Sequence, residues 1–101
     1  MRALAQANKV RLARAALKRA IARGEVDPSD VVREASWETE SMTIAELLTS
    51  QRRWGRTRTR KFLMPLSLNE NKQLGTLTER QRRILAAELA ARSAGKRRRI
   101  G

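Results

Sequence analysis

Residues 3–23 contain neither glycine nor proline, are rich in alanine and leucine, and are followed by Gly24. Alanine and leucine favour helix, and glycine is common just past a helix C-terminus. The segment therefore predicts a long first helix over 3–23. Its apolar residues fall within an arc of about 100° on a helical wheel; they are Val10, Ala13, Leu17, Ala20 and Ile21. We expect this face to pack against the rest of the chain.

Charge is distributed unevenly along the 101 residues. The net charge is +7 over residues 1–24, −6 over 25–50, +6 over 51–75 and +6 over 76–101, or +13 in all. A large positive charge indicates a polyanionic partner. Nucleic acid is the favoured class of partner, and an anionic membrane surface is the alternative. The segregation predicts two basic surfaces separated by an acidic connector.

The absence of cysteine and histidine restricts the chemistry of the chain. It excludes disulfides and thiolate metal sites, and it removes the commonest acid–base group. The acidic residues of 25–50 fall at capping and loop positions, so we expect no enzyme, no cofactor and no metal site. No apolar run approaches the roughly 20 residues of a membrane-spanning helix. The basic residues near the N-terminus do not suit a secretory signal, so we expect a cytoplasmic protein.

Local start signals predict further helices in the acidic connector. Asp27 followed by proline predicts the N-cap of a helix over about 28–35. Thr43 and Glu46 have the spacing of a capping box, which predicts a helix through about residue 51. Residues 36–42 are expected to form the loop between them.

The second half of the chain repeats these signals. A helix is predicted over 57–66, with a change of register at Pro65. Ser67 and Glu70 predict a very short helix that ends at Gly75, and Thr78 and Gln81 predict a last helix over about 79–92. The fold class is therefore all-α, a long N-terminal helix followed by a compact bundle of short helices. We divide the chain into a basic helix over 1–24, an acidic connector over 25–50, a second basic module over 51–92 and a disordered basic tail over 93–101.

The segment from Gln51 to Leu66 has the most informative composition. It places six basic residues around Gly55, namely Arg52, Arg53, Arg56, Arg58, Arg60 and Lys61. A glycine turn that leads into a helix exposes backbone N–H groups, which bind anions together with the helix dipole. Thr57 and Thr59 would add hydroxyl donors, and arginine chelates phosphate oxygens in a bidentate way. The pattern predicts a site for the nucleic-acid backbone that does not read bases.

Two other groups of cations join this candidate site. The first helix contributes Lys9, Arg11, Arg14 and Lys18, and the start of the last helix contributes Arg80, Arg82 and Arg83. A solvated face without a ligand is the alternative for the last group. Trp54 could wedge against a nucleotide, but packing over Leu47 and Leu48 is favoured. Trp37 is expected to pack or to anchor a loop.

The order and spacing of several segments resemble a known family. Leu47-Leu48, the glycine turn, RTRTRKFL and SLNENKQLGTLTERQRRIL look like the actinobacterial integration host factors, as does MRALAQANKVRLARAALKRAI at the N-terminus. The resemblance implies a helix-two-turn-helix module, with flanking helices over 57–66 and 79–92. The family often has Gly-x-Gly at the turn, whereas this chain has Arg53-Trp54-Gly55.

The resemblance also implies a function. It implies a nucleoid-associated protein of mycobacterial type that binds duplex DNA through phosphates with little sequence preference, bends or compacts it, and serves phage site-specific integration. Expected partners are double-stranded DNA and a phage integrase on the same DNA, with a monomer in solution and no membrane. A ribosomal-type protein that binds structured RNA is the alternative. A membrane-active amphipathic helix is a weaker third reading, because the first helix has only small residues on its apolar face.

Overall fold

The computed structural model describes residues 2–34 and 36–98, with side chains described for 5–34 and 36–92. Five α-helices follow one another: α1 (Arg2–Ala22), α2 (Pro28–Glu34), α3 (Ile44–Thr49), α4 (Arg56–Leu63) and α5 (Glu79–Arg98). Short 3₁₀ turns cover Trp37–Thr39, Met64–Leu66 and Leu74–Thr76. The described part of the chain contains no β-strand, so the all-α fold class is confirmed.

The capping signals read from the sequence are present as hydrogen bonds. Asp27 Oδ1 accepts the backbone N–H two residues on, at 2.9 Å. Thr43 Oγ1 accepts the Glu46 N–H at 3.1 Å. Thr78 and Gln81 form a reciprocal box, because each backbone N–H donates to the other side chain, at 3.0 and 3.1 Å. Each bond satisfies an amide that has no partner within its helix.

The prediction of a helix between Ser67 and Gly75 is wrong. Ser67 has a left-handed backbone (φ 55°) and ends a 3₁₀ turn, whereas an N-cap residue needs an extended one. The backbone that follows pairs with the start of α3 instead, since Ile44 N–H donates to the Lys72 carbonyl and Ala45 N–H to the Glu70 carbonyl, both at 2.9 Å. Carbonyl groups used across the fold in this way cannot also serve a local helix.

Gly75, read from the sequence as a helix stop, allows a close approach between two segments. Its N–H donates to the Glu40 carbonyl at 2.9 Å. A Cβ at this position would lie 3.0 Å from that same carbonyl oxygen. Any side chain at 75 would therefore push the two backbones apart.

The last helix is longer than predicted. The sequence placed its end near residue 92 and a disordered tail after it, but α5 continues to Arg98. A single glycine inside a helix costs only about 1 kcal/mol relative to alanine, so Gly95 does not stop a helix built on an alanine-rich run. The remaining residues of the predicted tail, 99–101, lie outside the described residues.

One hydrophobic core joins all five helices. α5 packs on α2, α3 packs on α4, and α1 packs on the 3₁₀ turn Trp37–Thr39. The buried apolar side chains are Ile21, Val31, Val32, Met42, Ile44, Leu47, Leu48, Trp54, Phe62, Leu63, Leu74, Leu77, Leu85, Ala86 and Leu89. Trp37 is not among them: it is 50% exposed and lies in the 3₁₀ turn on which α1 packs, so it is half-packed and stands outside the buried core.

Candidate nucleic-acid interface

The turn between α3 and α4 takes its shape from Arg53 rather than from Gly55. Arg53 has a left-handed backbone with φ 70°, a conformation that costs a residue with a side chain about 1–2 kcal/mol. Gly55 has φ −92° and ψ −177°, which any residue can adopt. The position of the turn that needs positive φ is thus occupied by an arginine, which accepts that strain.

Gly55 leaves the start of α4 open. It is the N-cap residue of α4, and no side chain caps the first turn. A Cβ at Gly55 would meet no atom within 4 Å, so packing within the protein does not demand a glycine there. The free N–H groups of the first turn and the positive end of the helix dipole therefore face solvent.

The two threonines of this segment differ. Thr57 is exposed in the first turn of α4, as expected. Thr59 is fully buried, and its hydroxyl donates to the Gly55 carbonyl at 3.0 Å. The expectation that Thr59 offers a donor to an external phosphate is therefore wrong, because that hydroxyl already stabilises the helix start.

Six basic side chains surround Gly55, and we call them the turn surface. All are exposed: Arg52, Arg53, Arg56, Arg58, Arg60 and Lys61. Within the described residues only Arg60 has an acidic partner, since its Nε donates to Glu70 at 3.1 Å. The other five have no ion pair to a described carboxylate. Like charges held close together repel, and an external anion would relieve that repulsion.

Trp54 anchors the turn surface to the core. Its ring is only 9% exposed and meets the Phe62 ring edge-on, with centroids 5.3 Å apart and planes at 74°. This confirms the packing interpretation and leaves no ring face for a wedge between bases. The guanidinium carbon of Arg58 lies 4.7 Å from the Trp54 ring centroid, a cation–π contact that holds Arg58 in place.

The cations predicted on the first helix, which we call the α1 surface, divide into two pairs. Arg14 donates to Glu46 and also reaches Ser41 Oγ at 3.4 Å. Lys18 Nζ lies 3.6 Å from the same Glu46 carboxylate. Lys9 and Arg11 are exposed and have no acidic partner among the described side chains. Two of the four cations of the α1 surface thus share one carboxylate of α3, which offsets one of their two positive charges.

Glu46 is available for this pairing because of how α3 begins. In a full capping box its carboxylate would accept the Thr43 N–H. Thr43 still caps α3, but the Glu46 side chain turns towards α1. The Arg23 and Glu25 side chains also pair, at 3.0 and 3.1 Å. These hydrogen bonds and the charge of Arg23 lower the pKa of Glu25, while the same bonds and the charge of Glu25 raise the pKa of Arg23.

The three arginines predicted at the start of α5 have different surroundings. Arg82 is half-buried and donates to the backbone carbonyls of Val32 and Leu74, both at 3.0 Å. It links α5 to α2 and to the loop before α5, so its guanidinium is engaged internally. Arg80 and Arg83 are exposed and carry no ion pair to a described residue. Both lie near the N-terminal end of α5.

Arg92 is a basic residue near the turn surface that sequence reasoning missed. Its guanidinium carbon lies 4.8 Å from the Phe62 ring centroid and 5.9 Å from that of Trp54. A helical periodicity could have found it, because Arg92 follows Leu85 by seven residues and Leu89 by three, which continues the buried stripe of α5. Twelve residues of helix, about 18 Å, separate it from Arg80.

No group of three or more acidic, cysteine or histidine side chains among the described residues could hold a metal ion. Within the same residues, no helix is both long enough and apolar enough to cross a membrane.

Comparison with known proteins identifies a solved structure of similar fold. No protein-family model and no curated protein matches the chain. Among solved structures, the all-helical fold matches one described as sIHF bound to an 8-base-pair palindromic DNA, with a TM-score of 0.73 and 21% sequence identity. The match covers 83% of this chain and 97% of the other. The two chains therefore share a fold over nearly the whole of sIHF.

Proposed function

We propose that this chain is a non-enzymatic DNA-binding protein of the integration host factor type. It binds the phosphate backbone of duplex DNA with little sequence preference, and it bends or compacts the duplex. The observation that carries the proposal is the turn surface: five exposed cations without a described acidic partner, around a helix start that no side chain caps. The fold shared with sIHF, whose structure is described as bound to DNA, supports it.

The chemistry of the turn surface suits phosphate. Phosphate oxygens accept hydrogen bonds from backbone N–H groups at a helix start, and the dipole favours the negative charge. Arg52, Arg53 and Arg56 can add bidentate bonds from the same side. Contacts of this kind fix the position of a duplex without reading its sequence.

The α1 surface contributes a second, weaker contact in this proposal. Lys9 and Arg11 are its unpaired cations. A duplex that touches two separated basic surfaces on one rigid protein has to follow the path between them, and bending results when that path is not straight.

The finer parts of the proposal follow the family resemblance. We place the protein among the actinobacterial integration host factors, in the cytoplasm and on the nucleoid. There it would act as a monomer in chromosome organisation and in site-specific integration beside a phage integrase. A ring-closure assay on DNA fragments shorter than the roughly 150-base-pair persistence length tests the bending part. Unchanged closure rates at saturating protein would contradict it.

A salt titration tests the phosphate contacts. The logarithm of the binding constant falls by about 0.9 per neutralised phosphate, so six to eight contacts give a slope of about −5 to −7. We expect such a slope for a 20-base-pair duplex of arbitrary sequence, and little change when the sequence is scrambled. A slope near −1, or preferential binding of structured RNA in direct competition, would contradict the proposal.

Paired variants test the location of the site. Replacing Arg52 and Arg56 together by Ala should weaken duplex binding by about 30-fold or more, and should reduce the salt slope by about 2. The control replaces Arg19 and Arg33, two exposed arginines outside the proposed contacts, and removes the same formal charge. Arg33 pairs with Asp30 at 3.4 Å, an exposed pair that contributes little to stability. If both double variants lose affinity equally, the binding comes from net charge and the turn surface is not the site.

A further inference from the structure

Two guanidinium groups from different helices share one aromatic corner. Arg58 of α4 lies over Trp54, and Arg92 of α5 lies over Phe62 and within 5.9 Å of the Trp54 centroid. The two rings are buried and pack edge-on, so their positions are fixed by the core. The corner therefore holds two cations whose places in the sequence are 34 residues apart.

Neither cation is balanced by a described acidic group. Arg58 and Arg92 make no ion pair and no side-chain hydrogen bond to any residue that the structure describes. Both side chains are exposed. A pair of adjacent positive charges at a water-accessible corner raises the electrostatic potential there, which attracts an anion.

Stacking leaves the useful part of each guanidinium free. A guanidinium that lies over a ring uses its face, while its N–H donors point outward in the plane of the group. The aromatic contact also restricts a long side chain that would otherwise lose rotamer entropy on binding. Arg92 is thus held in place without using the donors that a phosphate needs.

We propose that Arg92 is a phosphate-binding residue of the turn surface and that Phe62 and Trp54 position it. The inference rests on the proposed function and extends the site from α4 to the C-terminal half of α5. α5 continues for six residues beyond Arg92, about 9 Å along its axis. The DNA backbone that leaves the α4 start accordingly follows the C-terminal part of α5 rather than its N-terminal end near Arg80.

Single substitutions at Arg92 test the contact. Arg92→Ala should weaken binding of a 20-base-pair duplex about five- to tenfold at 0.1 M salt and should reduce the salt slope by about 1. Arg92→Lys should restore the slope but only part of the affinity, because an ammonium lacks the planar fork. Arg19→Ala is the matched control, since it removes one exposed cation of α1 that has no part in the proposed site.

A double-mutant cycle tests the positioning role. Phe62→Leu keeps an apolar side chain in the core but removes the ring under Arg92. We expect Arg92→Ala to cost less affinity in the Phe62→Leu background than in the parent chain, with a coupling of at least twofold. Additive effects would overturn the positioning role. Thermal unfolding of each variant is measured alongside. If Arg92→Ala lowers Tm but leaves the salt slope of binding unchanged, Arg92 has only a structural role and the contact is overturned.

The outcomes separate this inference from the proposed function. If Arg92→Ala behaves like Arg19→Ala while the Arg52 and Arg56 double variant loses binding, Arg92 is not a contact and the turn surface stands. If neither variant changes affinity or salt slope, both proposals fail.

Discussion

The turn surface and the α1 surface are both strongly basic in sequence but have different electrostatic surroundings. Each is a cluster of basic residues with no acidic residue among them. In the folded chain, however, Glu46 pairs with Arg14 and Lys18 of the α1 surface, whereas the turn surface has a described acidic partner only at Arg60. The comparison teaches that a count of cations along the chain does not identify which of them remain available to a ligand.

The two surfaces also differ in how they are attached to the core. The turn surface is fastened by Trp54, which is buried against Phe62. The first turns of α1 have no such attachment, since residues 5–9 are exposed on all sides. A rigidly held cluster loses less conformational entropy when it binds, which favours the turn surface as the stronger contact.

The largest expected effect comes from removing the anchor of the turn surface. Trp54→Ala should destabilise the fold by about 3–5 kcal/mol, because it empties a large volume in the core. Trp37→Ala is the matched control and should lower the free energy of unfolding by less than half as much, because half of that residue is already exposed. Urea unfolding followed by circular dichroism measures both. Equal effects would mean that Trp54 does not anchor the turn.

The next largest effect is expected when the α1 surface loses its acidic partner and so becomes as free of ion pairs as most of the turn surface. Glu46→Gln releases Arg14 and Lys18 from their carboxylate and should strengthen duplex binding about three- to tenfold, with a steeper salt slope. Glu88→Gln, which removes one exposed acid with no described ion pair, is the charge-matched control. A gain no greater than that of the control would show that the α1 surface does not meet DNA.

A smaller effect concerns the strained residue of the turn. Arg53→Gly should stabilise the fold by up to about 1 kcal/mol, because glycine accepts φ 70° without a steric penalty. The same change lowers duplex affinity through the lost charge, so stability and binding move in opposite directions. Arg52→Gly removes the same charge at a neighbouring position without positive φ, and it should not stabilise the fold. Thermal unfolding that ranks the two variants alike would contradict this account.

The smallest effect concerns the open start of α4. Gly55→Ser gives α4 a capping side chain, which stabilises a helix by a few tenths of a kcal/mol over glycine. Its hydroxyl would take the N–H groups proposed for phosphate, so we expect slightly higher Tm and weaker duplex binding. Higher Tm with unchanged binding would place the phosphate elsewhere on the turn surface.

Local sequence signals predicted most of the architecture. The caps at Asp27, Thr43 and Thr78 appear as expected because each depends on residues within three positions of one another. The apolar face of α1 follows helical periodicity, and Ile21 is buried as predicted. The predicted helix after Ser67 failed because its capping pattern competed with backbone partners on α3 that are distant in sequence.

The candidate site was less accessible to sequence reasoning for the same physical reason. The positive φ of Arg53 comes from the way the turn joins α3 to α4, and arginine gives no local indication of it. The pairing of Glu46 with Arg14 and the stacking of Arg92 on Phe62 both join residues about 30 positions apart. Such contacts depend on how the helices pack, which a linear pattern does not specify.

The hydrogen bonds that join the loop before α5 to the start of α3 have a mechanical consequence. Four backbone bonds of 2.8–2.9 Å span these segments, including Leu74 N–H to the Met42 carbonyl and Gly75 N–H to the Glu40 carbonyl. They tie the loop between α4 and α5 to the start of α3, which resists movement of these helices relative to one another. If the proposed function holds, the elastic work of bending falls on the duplex, and the protein behaves as a stiff template whose shape sets the angle.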